Sequence, residues 1–391
     1  MKKLYKIVIR FIGLFIPVRN VIYLESKPVF SDNTFRLYEQ MLGEKINEHY
    51  KIIWFYDEYD FKHNSFIPQY LPKNVSVIKI NNSTLAGKIK KMICLCNGKI
   101  YISSNLFYGG VKRKQFNLHL NHGAPFKNAG EADKISPICD AEISLSNFML
   151  PYTEKDSGIP RDRLIITGFP RNDYLLDNSS RKLKTESKFK NYNKIIVWMP
   201  TFRQSWHNDR VDCDSNLPLG IPIIENYTQL SEINQIMEEK DSLLVIKVHF
   251  AQDVSYIKNK NFRHLIFLGN DDLQRLNLQL YQFLSFTDAL ITDYSSIYFD
   301  YLLMNKPIAL TIDDINQYSE KTGFVYDDYF SIIKGEYIRN IDELKHFLSV
   351  TCFSNSAIDN EHDEIVGQYH DYYDSDSSKR VLDYLLENEI I

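Results

Sequence analysis

The residues best suited to chemistry stand just after short apolar runs. In Leu118-His119-Leu120-Asn121-His122-Gly123-Ala124-Pro125-Phe126-Lys127 an apolar stretch runs into a His-Gly turn, then proline, then lysine. Gly123 lets the backbone turn sharply and displays His122 at the tip, with Lys127 close enough in sequence to hold an anion. An imidazole is the side chain suited to taking a proton from an alcohol near neutral pH. The competing readings make His119 and His122 a strand residue and a turn residue, or an HxxH metal pair. His119 is read here as a strand residue.

Four further segments share this form. Ile165-Ile166-Thr167-Gly168-Phe169-Pro170-Arg171-Asn172-Asp173 ends a short strand in Gly, Pro and charges; Arg171 and Asp173 read equally as a structural pair. Trp198-Met199-Pro200-Thr201-Phe202-Arg203 brings Thr201 and Arg203 to a strand end, where arginine can neutralise phosphate bidentately or close a salt bridge. Leu244-Val245-Ile246-Lys247-Val248-His249 carries Lys247 and His249 at the end of an aliphatic run, where a cation needs an anionic partner; a core histidine satisfied by backbone is the alternative. Ala289-Leu290-Ile291-Thr292-Asp293-Tyr294-Ser295-Ser296 delivers Thr292 and Asp293 to a rim and Ser295 or Ser296 to the start of a helix. A helix start offers unpaired N–H groups and the positive end of a dipole, an anion site suited to pyrophosphate; a simply capped helix is the alternative.

Positioning these motifs requires strands that end at them. Val21–Leu24, Ile52–Tyr56, Val75–Ile80, Ile100–Ile102 and Phe116–Leu120 read as strands, with helical spacing over Thr34–Glu48 and Ser83–Cys96. The alternation then restarts, with strands at Ile195–Met199, Leu243–Val248, His264–Leu268, Ala289–Thr292 and Ile308–Leu310 and helices at Asp271–Leu284 and Ser296–Met304. Strands alternating with helices imply βαβ units and mainly parallel sheets, whose ligands bind beyond the carboxyl ends of the strands. The polar stretch Asp177–Asn193 reads as a linker, giving domains at 1–178 and 194–391. The expected fold is α/β: two Rossmann-type domains with parallel sheets facing across a cleft.

The 391 residues carry 46 Lys plus Arg against 50 Asp plus Glu, a net charge of −4. No global positive field exists to hold a nucleic-acid backbone, so no nucleic-acid partner is expected. Five scattered cysteines form no CxxC pair, which supports neither a zinc ribbon nor a disulfide framework. There is no P-loop, HExxH, G-x-S-x-G or G-x-G-x-x-G, and the DxD spacing of Asp212 and Asp214 lies in a polar loop. No metal site is expected. Met1–Val18 mixes Lys2, Lys3, Lys6 and Arg10 with aliphatic and Phe residues. It has no A-x-A-like cleavage site and is too short an apolar run to span a bilayer. It reads as a basic amphipathic segment drawn to an anionic membrane surface, with a plain first helix as the alternative.

Taken in order, HGAPFKNAG, TGFPRND, WMPTFR, IKVH and ITDYSSIYFDYLLMNKP resemble the motifs of the CDP-glycerol glycerophosphotransferases of teichoic acid synthesis. The resemblance covers nearly the whole chain. It implies a GT-B-like architecture, CDP-glycerol as donor held mainly by the second domain, no required cofactor, a lipid-linked glycan acceptor and a peripheral place on the cytoplasmic face of the membrane. By the same resemblance His122 is the general base, with Gly123, Pro125 and Lys127 as motif companions, and His249 contacts the donor phosphates. Thr292, Asp293, Ser295, Ser296 and Asp300 belong to the donor segment, Arg203 closes the Pro-Thr-aromatic-Arg motif, and Thr201, Pro170, Arg171 and Asp173 support it. Asn121, Ala124 and Phe250 depart from the family pattern, where an aromatic, Thr and Pro are common. A CDP-ribitol phosphotransferase and a GT-B nucleotide-sugar glycosyltransferase are the alternatives.

Overall fold

The protein was studied as a computed structural model, which describes residues 13, 15–62, 65–105, 109–128, 138–177, 179–201, 203, 217–247, 262–354 and 360–391. It divides into two compact units. The first comprises Met1–Gly123, Asp133–Asp173 and His370–Ile391; the second comprises Ala124–Ala132 and Tyr174–Tyr369.

Among the described residues of the first unit seven strands form one sheet: β1 (Arg19–Glu25), β2 (Lys51–Tyr56), β3 (Val75–Lys79), β4 (Gly98–Ser103), β5 (Phe116–His119), β6 (Ala141–Ser144) and β7 (Leu164–Ile166). Their order is β3-β2-β1-β4-β5-β6-β7, and every pairing is parallel. Sequences such as Ile52-Ile53-Trp54-Phe55-Tyr56 are buried without alternation, as a parallel sheet covered on both faces requires. The helix Asp32–Gly43 turns Thr34, Leu37, Tyr38 and Met41 inward. The expected single helix over Thr34–Glu48 is two, because Lys45 takes a left-handed φ of 58° before a short helix at Ile46–His49. The helix Leu85–Asn97 starts at Thr84, whose hydroxyl accepts from Gly87 N at 3.1 Å. Gly87 is obligatory there, since a Cβ would stand 1.7 Å from the Asn81 carbonyl oxygen.

The described part of the second unit holds β8 (Ile195–Trp198), β9 (Leu243–Lys247), β10 (Leu265–Leu268), β11 (Ala289–Thr292), β12 (Ile308–Thr311) and β13 (Glu336–Ile338). They form an all-parallel sheet in the order β10-β9-β8-β11-β12-β13. Helices Tyr227–Glu239 and Ile341–Ser349 bury Leu230, Ile233, Met237, Leu344, Phe347 and Leu348 against it. In both units the chain fills one half of the sheet and then crosses back, so the order reverses between β1 and β4 and between β8 and β11. Such switch points leave a crevice beyond the strand ends where ligands bind.

Several expected boundaries move. Asp177–Asn193 is not a free linker: it contains the helix Ser180–Glu186, and Phe189 is buried with its ring 5.3 Å from that of Phe283. Tyr192 OH also donates to Arg263 O at 2.9 Å and Asn193 N to Asp241 O at 2.7 Å, so a segment whose composition looks like a tether is docked at several points. The expected helix over Asp271–Leu284 is split into Asn270–Arg275 and Leu280–Ser285, because Asn277 adopts a φ of 55°. The last helix, Ser377–Glu387, belongs to the first unit and not to the second.

Candidate active site

His122 lies two residues past Leu120, which extends β5 by donating its N–H to Ser103 O at 2.8 Å. The imidazole-bearing residue is exposed, as a base that meets an external alcohol must be. The turn that displays it does not use Gly123 as expected. Asn121 adopts the left-handed φ of 53°, and its side-chain Oδ1 accepts from His122 N at 2.7 Å and Gly123 N at 3.3 Å. Asn and Asp tolerate this conformation because a short polar side chain can bond locally. His119 is a strand residue, as read: it is buried and shares a 3.0 Å hydrogen bond between Nδ1 and Oε1 of the fully buried Glu142.

The Thr167–Asp173 motif supports this turn through Arg171. Gly168 takes a φ of 74° and lies so close to Ser377 that a Cβ would fall 2.6 Å from its hydroxyl. Pro170 begins a short 3-10 turn, Pro170–Asn172. Arg171 is buried and donates Nη1 to His122 O and to Asp32 Oδ1, both at 2.7 Å. Asp173 turns the other way and caps the helix Ser377–Glu387, accepting from Ser377 N at 2.8 Å and Ser378 N at 3.0 Å. Arg171 and Asp173 therefore serve different partners and are not a pair. Burial pushes the Asp173 carboxyl up to about 6, against the opposing pull of Ser378, Ser377 and Arg36.

In the second unit the switch point between β8 and β11 is closed by a buried polar lattice. Asp293 accepts from Thr201 N at 3.0 and 2.9 Å, from Thr201 Oγ1 at 2.6 Å, from Arg203 Nη1 at 2.9 Å and from Tyr294 N at 2.6 Å. Thr292 donates its hydroxyl to Met199 O at 3.0 Å. Arg203 also grips Asp314, which follows β12, through Nε at 2.6 Å and Nη2 at 3.0 Å, and gives Nη1 to Thr201 O at 2.8 Å. Its guanidinium lies over the rings of Tyr294 and Tyr318, at 5.0 and 5.5 Å. Burial opposes its charge, but Asp293 and Asp314 outweigh burial and hold it firmly protonated.

This changes the part of Arg203. Expected on a phosphate, it is 3% exposed and committed to two carboxylates, so it ties the tips of β8, β11 and β12 together. Asp300 is corrected in the same sense: it is fully buried and accepts from Tyr281 OH at 2.5 Å. Ser296 makes no side-chain cap; its backbone is already helical, and the helix that follows, Ile297–Leu302, is short. Ser295 and Ser296 remain half-buried at the end of this framework. Lys247 ends β9, separated from β11 by β8 in the sheet order, and burial lowers its ammonium to about 8 against the pull of Asp272.

Lys127 falls in the second unit although His122 is in the first, because the division runs between Gly123 and Ala124. It bridges to Phe324 in the antiparallel sense, and its ammonium lies 5.9 Å from the centre of the Tyr318 ring. Pro125 offers its carbonyl to Tyr326 OH at 2.9 Å. Phe126 is buried among the rings of Phe299, Phe324, Tyr326 and Tyr329. His249 and the Asp212–Asp214 pair lie outside the described residues. Asn33, Asn121, Glu142 and Asp314 carry parts of the framework that the motifs did not single out. The acidic pair Asp313-Asp314, one residue past β12, is a signal of this kind in the sequence.

Comparison with known proteins gives this geometry a context. The chain is 28% identical to the teichoic acid poly(ribitol-phosphate) polymerase of Bacillus spizizenii over 62% of its own length, but spans only 36% of that relative. It is 23% identical to the teichoic acid poly(glycerol phosphate) polymerase of the same organism, over 98% of this chain and 96% of that one. With the teichoic acid glycerol-phosphate primase of Bacillus subtilis it shares 29% identity over 80% of each. Its fold is similar to that of the wall teichoic acid polymerase TagF, with a TM-score of 0.71 at 20% identity, covering 99% of this chain and 92% of that one. The two parallel sheets are those of the expected GT-B-like architecture. A sequence profile of one family matches residues 9–387, running through both units. The chain belongs to the CDP-glycerol:poly(glycerophosphate) glycerophosphotransferase family.

Proposed function

We propose that the chain transfers glycerol phosphate from CDP-glycerol to a hydroxyl of a lipid-linked or polymeric acceptor in the synthesis of a teichoic acid or related surface polymer, releasing CMP. The observation that carries the reading is the family match across both units, with an exposed histidine at the strand-end turn of the first. His122 takes the proton as the acceptor oxygen forms its bond to the β-phosphorus, and the bond from that phosphorus to the CMP oxygen breaks. Little covalent chemistry is asked of the protein; charge neutralisation and alignment do most of the work. Lys127, Lys247, Ser295, Ser296 and, from the sequence alone, His249 are the groups proposed to meet the diphosphate. Arg203, Asp293, Thr201 and Thr292 hold the turn that presents them.

The acceptor's lipid end accounts for a second feature of the first unit. Leu85, Ile89 and Ile93 are 75%, 45% and 42% exposed and fall on one face of the helix Leu85–Asn97, beside the exposed Lys88 and Lys90. Ser83, just ahead of this helix, donates to Glu58 at 2.8 Å, and Phe61 in the helix Glu58–Lys62 is also exposed. Ile16, near the end of the Met1–Val18 segment, packs on Met92 and Cys96 of the same helix. An apolar stripe with flanking cations is suited to the interface of an anionic bilayer. No helix among the described residues is long and apolar enough to cross a membrane.

Ribitol phosphate is the second reading for the transferred group, supported by the ribitol-phosphate polymerases among the relatives. Incubation with CDP-glycerol, CDP-ribitol and UDP-sugars, each with a lipid-linked acceptor, separates the readings. Release of CMP with acceptor mass raised by one glycerol phosphate is the expected result. Release of UDP, or turnover confined to CDP-ribitol, overturns it.

A further inference from the structure

We propose that Asn121 is a positioning residue for the general base, acting through the peptide groups on either side of His122. The inference rests on the reading of His122 as the base. An exposed side chain on a turn is placed only as well as its backbone is. Here the backbone is held by side chains from both directions. From the front, Asn121 Oδ1 accepts from His122 N at 2.7 Å and Gly123 N at 3.3 Å, while its Nδ2 donates to the buried Glu142 Oε1 at 3.3 Å. From behind, Asn33 Nδ2 donates to Leu120 O at 2.9 Å and Asn121 O at 3.0 Å, and Arg171 Nη1 donates to His122 O at 2.7 Å. Arg171 N donates to Asn33 Oδ1 at 3.1 Å, and Asp32 Oδ1 accepts from Arg171 Nη1, so the support closes on itself.

Both the N–H and the C=O of His122 are therefore fixed, which sets the direction of the Cα–Cβ bond that carries the imidazole. The left-handed φ at Asn121 is part of the device, since it lets the amide fold forward over the next two N–H groups. A base acts only within about 2.6–3.2 Å of the proton it takes, and misplacement by about 1 Å can lower a rate about 10²-fold.

Asn121→Gly tests the proposal with little risk to folding, because glycine accepts the left-handed backbone and loses only the side-chain bonds. Arg171→Lys is a second variant: it keeps a cation opposite Asp32 but lacks the planar fork. Steady-state CMP release from CDP-glycerol is measured with His122→Ala alongside and the thermal midpoint of each protein recorded. The expected result is a kcat lowered about 10–100-fold in Asn121→Gly, with the KM for CDP-glycerol within about threefold and the midpoint little changed. Arg171→Lys should move kcat in the same direction. Wild-type kcat in Asn121→Gly beside an inactive His122→Ala overturns the positioning role while leaving the base assignment standing. A loss that only follows the unfolded fraction overturns it too. Near wild-type turnover in His122→Ala removes the base itself, and the inference with it.

Discussion

His122 and Arg203 sit at opposite extremes of exposure. The first is exposed on a pinned turn, and the second is sealed between two carboxylates and two aromatic rings. The consequences of removing them differ in kind. His122→Ala should lower kcat by about 10²–10⁴-fold, with the KM for the donor little affected, as steady-state kinetics would show. Arg203→Met should act on the fold, because it leaves Asp293 and Asp314 buried without their cation. A loss of about 3–5 kcal/mol in urea unfolding is expected, and Arg203→Lys should recover little of it, since an ammonium cannot span both carboxylates with a planar fork. A phosphate ligand exposed in a crevice would show the reverse pattern, weak donor binding on a stable scaffold. WMPTFR leaves a phosphate and a salt bridge both open for Arg203 and cannot name the partner, because the sequence shows the arginine and not Asp314, 111 residues away.

The strands were the most legible elements, because runs such as Ile195-Ile196-Val197-Trp198 are apolar throughout and can only be buried on both faces. β6 and β13, Ala-Glu-Ile-Ser and Glu-Tyr-Ile, escaped because a polar residue in so short a segment erases the signal; in β6 that residue is Glu142, buried to hold His119 and Asn121. Helix ends were less legible where one residue takes a positive φ, as at Lys45 and Asn277. Caps supplied from distant sequence were invisible, and Asp173 with the helix Ser377–Glu387 is the clearest case. Its carboxyl, normally near 3.8, is raised to about 6 in the fold, so between these values the unfolded chain is ionised while the folded chain keeps its proton. The sign follows: the contribution of Asp173 to stability falls as pH rises from about 4 to about 6 and is flat above. The stability of the wild type relative to Asp173→Asn should therefore fall by up to about 2–3 kcal/mol between pH 4 and pH 7 in urea titrations.

For the molecule as a whole, composition offers no global positive field, and the net charge of −4 hid a local excess of lysine on the helix Leu85–Asn97. Replacing Leu85, Ile89 and Ile93 together by serine should reduce sedimentation with anionic vesicles severalfold while leaving turnover of a water-soluble acceptor intact. Because these side chains are exposed, the thermal midpoint should change little. Raising salt should weaken vesicle binding of the wild type through its lysines. Binding that is unchanged in the triple variant would point elsewhere on the surface.

The return of the last helix to the first unit has a consequence for biogenesis. The second unit draws most of its chain from one uninterrupted run, Tyr174–Tyr369, whereas the first needs Ser377 and Ser378 to receive Asp173. On the ribosome the first unit to be started is thus the last to be finished: its sheet emerges early and waits some two hundred residues for its closing piece. Contacts of such long range slow folding and leave nascent apolar surface open to chaperones in the meantime. A stop codon shortly before Ser377 should accordingly injure the half of the protein that was translated first.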